Sequence, residues 1–419
     1  MCMTTDADVI VVGAGLAGLA AAATARQAGR SVVVIEAHHA GGRARTVERD
    51  GFTLNMGAHA LYRLGEGAKV LSRLGVTPAG AAPPLDRYRA LVGGRLHALP
   101  TGPGTLLRTR AVGPRSKVQL ISLLGRLNRI RTETLHHTSV AEWLAGYHLG
   151  PDAESVVRAL LRLSTYSDDV ELLSAGAGLG QLQLATRGGV LYLHGGWRQL
   201  VDGLARTLDV RTGVEVLGLD QRGNGVEVRT TMGTLTAPRV VVATGGPDAL
   251  RRILPADPGW GRLGPPVTAA CLDLGLSRVP EPGYVLSLDD PLYATVQSPP
   301  ARQAVGHAAV LAVIRYGARS AAADRPQLEK LSAMAGVDGK DVVVRRFLAH
   351  MTVSGALPLA TEGGLAGRPG VEDTGMPGVT MAGDWVGPVG WLADASLASG
   401  YAAGSLAGRD GPGSTKMVA

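Results

Sequence analysis

The hydrophobic pattern begins with an apolar, β-branched run at residues 8–12, which suits a parallel strand buried on both faces. Residues 16–28 are rich in alanine and leucine and lack proline, which predicts a helix. Gly29 ends that segment, and residues 31–35 predict a second apolar strand that leads into Glu36. The chain therefore begins with a predicted strand–helix–strand unit.

Alternation and helical spacing recur further along the chain. Apolar positions alternate over residues 209–243, and Gly-Asn-Gly at 223–225 interrupts them, which predicts a hairpin followed by a buried strand at 240–243. The remaining predicted elements are an amphipathic helix at 61–74, helices within 140–183 and 191–208, strands at 267–276, 307–314 and 342–347, a polar helix near 327–335, and a strand, glycine loop and helix from Val379.

The turn after the first strand carries candidate chemistry. Gly13, Gly15 and Gly18 fall in the order GxGxxG. The first permits a tight turn, the second lets a pyrophosphate approach the backbone, and the third lets helix and strand pack closely. The helix N-terminus offers free N–H groups to phosphates, and a carboxylate at Glu36 suits a ribose diol. We interpret the unit as dinucleotide-binding, since a membrane helix would need a longer apolar run without glycines.

Length, charge and cysteine content narrow the class of protein. A chain of 419 residues is long enough for two domains, and the proline-rich stretch at 78–84 is a candidate boundary. Cys2 and Cys271 give neither a disulfide framework nor a metal-ligand pattern, so a reducing compartment and no metal are expected. The net charge of +7 comes without a nucleic-acid-binding motif, so no nucleic-acid partner is expected. No signal peptide is expected.

The segment 87–132 contains no Asp or Glu and many arginines. Val118, Ile121, Leu124 and Leu127 recur in it at helical spacing. Such a basic amphipathic helix can lie on an anionic membrane, or it can be a surface helix whose apolar face packs on the core. We favour the surface helix, and a peripheral membrane contact is the open alternative.

A glycine–arginine loop with Gly41, Gly42, Arg43 and Arg45 follows the acid, and NMGAH follows at 55–59. Together with the GxGxxG turn, this order resembles the superfamily of flavin-containing amine oxidases, protoporphyrinogen oxidases and phytoene desaturases. The resemblance covers both ends of the chain and one middle segment. It implies an α/β fold: a Rossmann-type FAD-binding domain, with a parallel sheet flanked by helices and a β-meander, and a discontinuous α+β substrate domain.

The resemblance also implies the domain order and the cofactor contacts. The FAD-binding domain is predicted at 6–84, 190–250 and 356–410, the substrate domain at 85–189 and 251–355, and a flexible tail at 411–419. The implied FAD-binding residues are Gly13, Gly15, Leu16, Ala17, Gly18, Glu36, Ala37, Gly42, Arg43, Gly57, Ala58, Val216, Ala243, Gly383, Asp384, Leu392 and Ala395.

Particular roles come with the family pattern. Val216 matches a valine whose backbone contacts the adenine, and Asp384 matches an acid that accepts hydrogen bonds from the ribityl hydroxyls. The loop and helix start at 392–396 match the segment that stabilises reduced flavin. His59 and Trp391 are candidate catalytic residues, with ordinary core packing as the alternative for each. Neither cysteine falls in a flavin-edge motif, so the FAD is expected to be non-covalent.

Two features favour the phytoene desaturase-like branch. Amine oxidases usually carry a lysine near flavin N5 and an aromatic cage, whereas the matching strand here has Ala269 and Ala270 and only 4% of the chain is aromatic. The loop GWLADASLASG at 390–400 has the length of the desaturase-type loop. We therefore expect dehydrogenation of a small-molecule, biosynthetic substrate by hydride transfer to flavin N5. An amine oxidase, a redox-neutral isomerase or cyclase, and a non-catalytic flavin scaffold are the alternatives.

The partners follow from the same interpretation. The substrate is expected to be small and apolar or amphipathic. Because no second GxGxxG unit suggests a bound NAD(P), oxygen or a quinone is the expected electron acceptor. We expect a cytoplasmic protein, with attachment to the inner membrane face as the alternative.

Overall fold

The structure, a computed structural model, describes residues 5–409, so the tail predicted at 411–419 lies outside it. Its strands are β1 (Val9–Val12), β2 (Val32–Glu36), β3 (Thr46–Arg49), β4 (Phe52–Asn55), β5 (Leu61–Tyr62), β6 (Gly80–Ala81), β7 (Arg89–Val92), β8 (Arg95–Ala98), β9 (Val190–Leu193), β10 (Asp209–Thr212), β11 (Val216–Arg222), β12 (Gly225–Thr230), β13 (Gly233–Ala237), β14 (Arg239–Val242), β15 (Val267–Leu276), β16 (Val285–Ser287), β17 (Leu292–Ser298), β18 (Ala309–Tyr316), β19 (Val342–Ser354) and β20 (Val379–Met381).

The helices lie between these strands. They are α1 (Leu16–Gln27), α2 (Glu66–Arg73), α3 (Pro103–Arg108), α4 (Pro114–Arg126), α5 (Val140–Ala145), α6 (Pro151–Thr165), α7 (Ala175–Gly188), α8 (Arg198–Ala205), α9 (Pro247–Ile253), α10 (Ala321–Met334) and α11 (Ala393–Ala407). Within residues 5–409, no helix is long and apolar enough to cross a bilayer.

A five-stranded parallel sheet holds the glycine turn. Its strand order is β10-β2-β1-β14-β20, and Val9 of β1 pairs with Val32 on one side and Arg239 on the other. All four residues of β1 are buried, as expected for a central parallel strand. The chain continues from β1 to β2 on one side, whereas β14, which comes much later, pairs with β1 on the other side. At such a change of direction, the carboxyl ends of the strands form the crevice in which open α/β sheets bind ligands.

Helices cover one face of this sheet, and a β-meander covers the other. α1 and α11 cross so closely that a Cβ at Gly400 would lie 2.3 Å from the carbonyl oxygen of Ala17. The meander β11-β12-β13 and Trp385 close a second apolar core on the opposite face. The predicted parallel sheet, flanking helices and meander are therefore present.

A seven-stranded mixed sheet forms the second part of the molecule, in the order β19-β15-β18-β17-β16-β7-β8. Every residue of β18 is buried, as are all but one of β15. Helices α4 to α7 and α10 join these strands in the largest apolar core. The domain boundaries given above remain a prediction.

Several predicted elements differ from the structure. The helix expected at 61–74 is replaced by strand β5 and the shorter α2, because Gly65 precedes the helix in an extended conformation. The stretch at 78–84 includes β6, which pairs with β9. Strand β19 runs seven residues beyond the predicted end at 347, and α10 begins before the predicted start at 327.

The basic segment includes α4, and only part of the predicted stripe is buried: Leu127 lies in the core and Leu124 is partly buried against it. Leu120 and Leu123 also pack into the core, whereas Val118 and Ile121 are exposed. The exposed and the buried residues both recur at helical spacing, so the apolar pattern alone could not show which set packs into the core. The helix is thus a surface helix that carries apolar side chains on both faces.

Candidate active site

A cavity of about 920 Å³ lies at the carboxyl ends of the parallel strands and extends to the second half of β19. Its walls come from the β1–α1 turn, the end of β2, the glycine–arginine loop, residues 56–62, the segment after β14, and the loop before α11. These pieces are far apart in the sequence. The cavity therefore joins the parallel sheet to the seven-stranded sheet.

Steric contacts explain the glycines of the first turn. Gly13 has φ +101°, and a Cβ there would lie 2.4 Å from the carbonyl oxygen of Ala243. A Cβ at Gly18 would lie 1.9 Å from the carbonyl oxygen of Gly13. A Cβ at Gly15 would meet no atom within 4 Å, and this residue lines the cavity. Two of the glycines thus allow close packing, and the third keeps the backbone accessible beside the N-terminus of α1.

The acid at the end of β2 is held in place by backbone groups. Glu36 accepts hydrogen bonds from the N–H groups of Ala14 at 2.8 Å and His38 at 2.9 Å. Glu36 and Ala37 both line the cavity, as does Val216 from the meander. The carboxylate and the meander therefore bound the same end of the cavity.

An ion pair with a buried carboxylate lies on the cavity wall between the glycine–arginine loop and the segment after β20. Arg43 donates from Nη2 to Asp384 Oδ1 at 2.7 Å and from Nη1 to Asp384 Oδ2 at 2.8 Å. The N–H of Gly355 donates to Asp384 Oδ2 at 2.8 Å, and Arg43 also donates to the carbonyl of Val353. The pair therefore joins the cofactor side of the cavity to the end of β19.

Charge determines the protonation state of this acid. Burial alone would raise the pKa of Asp384, but the positive charge and hydrogen bonds of Arg43, with the N–H of Gly355, outweigh burial and lower the pKa. Arg368 lies beneath the pair and donates to the backbone carbonyl of Asp384 at 2.9 Å. Asp384 is therefore a carboxylate at neutral pH.

Residues 55–59 form a strip along the cavity. Ala58 and His59 line it, whereas Gly57 lies behind, where a Cβ would meet Met351. The His59 Nδ1 lies 3.0 Å from the carbonyl oxygen of Gly57, and its ring contacts the edge of Trp197 with centroids 5.0 Å apart. Burial lowers the pKa of His59, so the imidazole is neutral at pH 7.

A second ion pair supports this strip from behind. Arg346 of β19 pairs with Asp273 of β15 at 2.6 Å and also donates to the carbonyl of Asn55. These strands pair directly, with Asp273 opposite Arg346. Ala269 and Ala270, which stand about where amine oxidases carry the lysine, are fully buried and do not line the cavity.

The loop before α11 places backbone groups at the cavity. Leu392 has φ +55° and precedes the helix, and Leu392, Ala393 and Asp394 line the cavity. Asp394 accepts from the N–H of Gly67 at 2.8 Å, while its Oδ2 has no partner within the described chain. Burial raises the pKa of Asp394 to about 7.

Fifteen of the nineteen predicted site residues line the cavity. They are Gly13, Gly15, Leu16, Ala17, Glu36, Ala37, Gly42, Arg43, Ala58, His59, Val216, Ala243, Gly383, Asp384 and Leu392. Gly18, Gly57, Ala395 and Trp391 do not. The indole of Trp391 is buried and donates to Ser354 Oγ at 3.2 Å, so the structure supports the alternative of core packing and not a catalytic role for Trp391.

Some residues that line the cavity were not predicted from the sequence. Trp197 precedes α8, Thr244 follows β14, and Tyr166 ends α6 with φ +60°. The second half of β19 also contributes, including Phe347 and Met351. Only Thr244 had a signal, because it adjoins the strand end that includes Ala243.

The lining fits FAD. Trp197 Nε1 and Thr244 Oγ1 are buried donors without partners in the described chain, and both residues line the cavity. The N-terminus of α1 supplies N–H groups beside Gly15, and Glu36 supplies a carboxylate on the adjacent strand end. These are the groups that phosphates and a ribose diol require.

The parallel sheet, the glycine turn, the acid on the next strand and the loop before α11 define a dinucleotide-binding flavoprotein. The chain belongs to the flavin containing amine oxidoreductase family, whose sequence profile matches residues 16–277. The members of this family are flavin-containing oxidoreductases.

Individual relatives are more distant. Polyamine oxidase 3 of Oryza sativa subsp. japonica is 30% identical over 250 residues, which cover 56% of this chain and 51% of that protein. Coproporphyrinogen III oxidase of Propionibacterium freudenreichii subsp. freudenreichii is 36% identical over 105 residues, 24% of this chain and 20% of that protein. The chain thus spans about half the length, or less, of these curated relatives.

Solved structures share the fold over most of the chain. Cyclohexylamine oxidase from Brevibacterium oxydans superposes with a TM-score of 0.74 and 17% identity, over 96% of this chain and 99% of that one. At this identity the likeness establishes the fold alone.

Proposed function

We propose that this enzyme dehydrogenates a small apolar or amphipathic molecule, with the flavin as the hydride acceptor. The observation that carries the proposal is the wall of the cavity formed by residues 347–353 of β19, together with Met56, Tyr62 and Tyr166. This wall is mainly apolar and aromatic. Bound FAD supplies the electron-accepting chemistry, and the protein positions the substrate and excludes water.

The proposed cofactor contacts follow from the positions of the lining residues. The N-terminus of α1 with Gly15 would hold the pyrophosphate, and Glu36 the adenosine ribose. Asp384 keeps accepting capacity beyond its bonds to Arg43, which suits ribityl hydroxyls. The backbone N–H groups at the start of α11 would stabilise negative charge on the reduced cofactor. No covalent attachment is proposed.

The charge distribution favours a neutral substrate. The acidic lining residues are Glu36, Glu215, Asp384 and Asp394. Glu36 and Glu215 lie near the end of β2 and the meander. Asp384 is paired with Arg43, and Asp394 accepts a hydrogen bond from α2. Thus no unpaired carboxylate lies on the β19 wall to bind an ammonium group, and His59 is neutral.

An assay of the reduction half-reaction tests the proposal. The FAD-loaded protein is mixed anaerobically with apolar polyunsaturated lipids or with putrescine and cyclohexylamine, and flavin bleaching is followed. We expect bleaching only with a neutral apolar compound, and a product lighter by two hydrogens. A product of unchanged mass would favour the isomerase or cyclase alternative. Oxygen or a quinone should restore the oxidised flavin.

A matched pair of variants tests whether the substrate binds in the cavity. Met351→Glu puts a charge on the apolar wall, whereas Val343→Glu changes an exposed residue of the same strand. We expect the first to raise KM with FAD content unchanged, and the second to have no effect.

Amine oxidation is the second candidate, because the match to polyamine oxidase 3 extends over more than half of this chain. In that case putrescine or cyclohexylamine would bleach the flavin and release hydrogen peroxide on reoxidation in air. Bleaching by amines alone would replace the first proposal with this one.

A further inference from the structure

The surface formed by α3 and α4 exposes apolar side chains that the core does not use. Val118 and Ile121 of α4 are 67% and 50% exposed, and Leu107 near the end of α3 is 66% exposed. Lys117 Nζ donates a hydrogen bond of 2.8 Å to the carbonyl of Leu107, which holds the end of α3 beside the start of α4. The three apolar side chains are therefore exposed on two helices that this hydrogen bond joins.

Helical geometry arranges charges around these residues. Successive residues of an α-helix are rotated by about 100°, so Val118 and Ile121 lie on one ridge of α4. The same rotation places Lys117 on one flank of the ridge, and Arg115 and Arg126 on the other. The exposed face of α4 is thus an apolar ridge between cationic flanks.

The cations of this region are not neutralised by the rest of the described chain. No ion pair within residues 5–409 involves the exposed residues Arg108, Arg110, Arg115, Arg126 or Arg129. One carboxylate lies beside the start of α4: Asp152 of α6 accepts a hydrogen bond at 3.0 Å from the N–H of Gly113, the residue before α4. The region therefore presents unpaired positive charge together with exposed apolar groups.

We propose that Leu107 and the exposed face of α4 form a docking surface for an anionic lipid bilayer. The helix lies in the plane of the interface, the apolar ridge enters the boundary of the acyl chains, and the arginines contact lipid phosphates. Charge complementarity identifies this occupant, because a second copy of the same cationic surface would be repelled. A nucleic-acid backbone would leave the apolar ridge in water. The proposal extends beyond the redox function and does not depend on it.

Vesicle co-sedimentation of the FAD-loaded chain of 419 residues tests the proposal. Vesicles of phosphatidylcholine alone are compared with vesicles containing about one quarter phosphatidylglycerol, at low and high salt. We expect binding to the anionic vesicles only, decreasing as salt screens the charges. Equal binding to both vesicle types, or no binding at low salt, would overturn the proposal.

Variants separate the two contributions. Arg115→Gln with Arg126→Gln should weaken binding by about fivefold per cation removed. Val118→Ser with Ile121→Ser should weaken it by about tenfold while the salt dependence persists.

The matched controls are Val305→Ser, which changes a residue that is 84% exposed elsewhere, and Arg262→Gln, at another exposed position. Both controls should bind vesicles like the unchanged chain and keep full FAD content. If the controls lose binding as strongly as the α4 variants, the surface is not specific. If gel filtration shows that the α4 variants instead convert a dimer to a monomer, the surface joins two copies of the chain and the lipid proposal is wrong.

Discussion

The ion pair of Arg43 and Asp384 gives the sharpest test of the site. Asp384→Asn keeps the shape of the side chain and removes its charge. The acid is 1% exposed and accepts three hydrogen bonds, two from Arg43 and one from the N–H of Gly355. An amide has one accepting oxygen, so its NH2 group would face a donor on one side. The variant therefore loses the counter-charge of Arg43 and at least one hydrogen bond.

The size of the effect follows from burial. Removing one partner of a buried ion pair costs about 3–5 kcal/mol, because the other charge stays uncompensated. The lower end applies, about 3 kcal/mol, since the Arg43 side chain is 40% exposed on the cavity side. With an unfolding entropy of about 2.1 cal/mol/K per residue, this corresponds to a fall in Tm of about 3 °C.

The pH dependence gives a second readout. Because the pKa of Asp384 is lowered in the folded chain, its stabilising contribution is present above the ordinary value of 3.8 and is lost as the pH falls through the folded pKa. The loss in free energy of unfolding caused by Asp384→Asn should therefore have its full size at pH 7 and become smaller below about pH 4. Chemical denaturation at several pH values measures it, together with FAD affinity by fluorescence.

The control for this experiment is an exposed pair. Glu48 accepts from Arg198 at 2.7 Å, with side chains 63% and 52% exposed, so Glu48→Gln should cost less than about 1 kcal/mol. The reasoning is wrong if Asp384→Asn lowers the free energy of unfolding no more than Glu48→Gln does. It is also wrong if the loss for Asp384→Asn is the same at pH 3.5 and pH 7.

Three further predictions use other parts of the cavity. Asp394→Asn should flatten the pH dependence of stability between about pH 4 and 7. In that range the folded chain keeps a proton on Asp394 that the unfolded chain releases, so the free energy of unfolding falls by up to about 1.4 kcal/mol for each unit that the pH rises. An unchanged slope in denaturant titrations would contradict this. Gly15→Val should fold normally yet lose most FAD binding in a fluorescence titration, while Gly104→Ala, also free of contacts within 4 Å, should retain it. Trp391→Phe should cost about 1 kcal/mol through the lost indole hydrogen bond and leave the flavin spectrum unchanged, so an altered spectrum would return Trp391 to the site.

The nucleotide end of the cavity was predictable because its requirements are local. Gly13 and Gly18 are needed where a strand turns into a helix within a few residues, and that spacing is visible in the sequence. Glu36 ends the next strand, so its position follows from the same unit. Arg43 and Asp384 required the family pattern, since 341 residues separate them along the chain.

The substrate end was not predictable, because long-range strand pairing creates it. Arg346 and Asp273 come together only through the register of β15 and β19. The position of the Trp391 side chain was not predictable for a related reason. Trp391 adjoins the loop that lines the cavity, but Leu392 has a positive φ, which marks a sharp change in chain direction. The indole of Trp391 packs against Ser354 instead. Proximity in sequence to a binding loop does not determine which way a side chain points.

Two irregularities in the pairing of β15 with β19 help a single strand to form so much of the cavity wall. Between the pairs Val267–Ser354 and Thr268–Thr352, β15 advances by one residue while β19 advances by two. Between the pairs Ala269–Met351 and Cys271–Leu348, β15 advances by two residues while β19 advances by three. Each extra residue forms a β-bulge, which bends the strand and breaks the strict alternation of faces. Seven consecutive residues, 347–353, can then line the cavity, although an ordinary strand would present only every second one. Substrate choice in this enzyme should therefore depend on the bulges as well as on the side chains, and deleting Ala349 to restore regular pairing at the second bulge should change specificity more than Ala349→Gly.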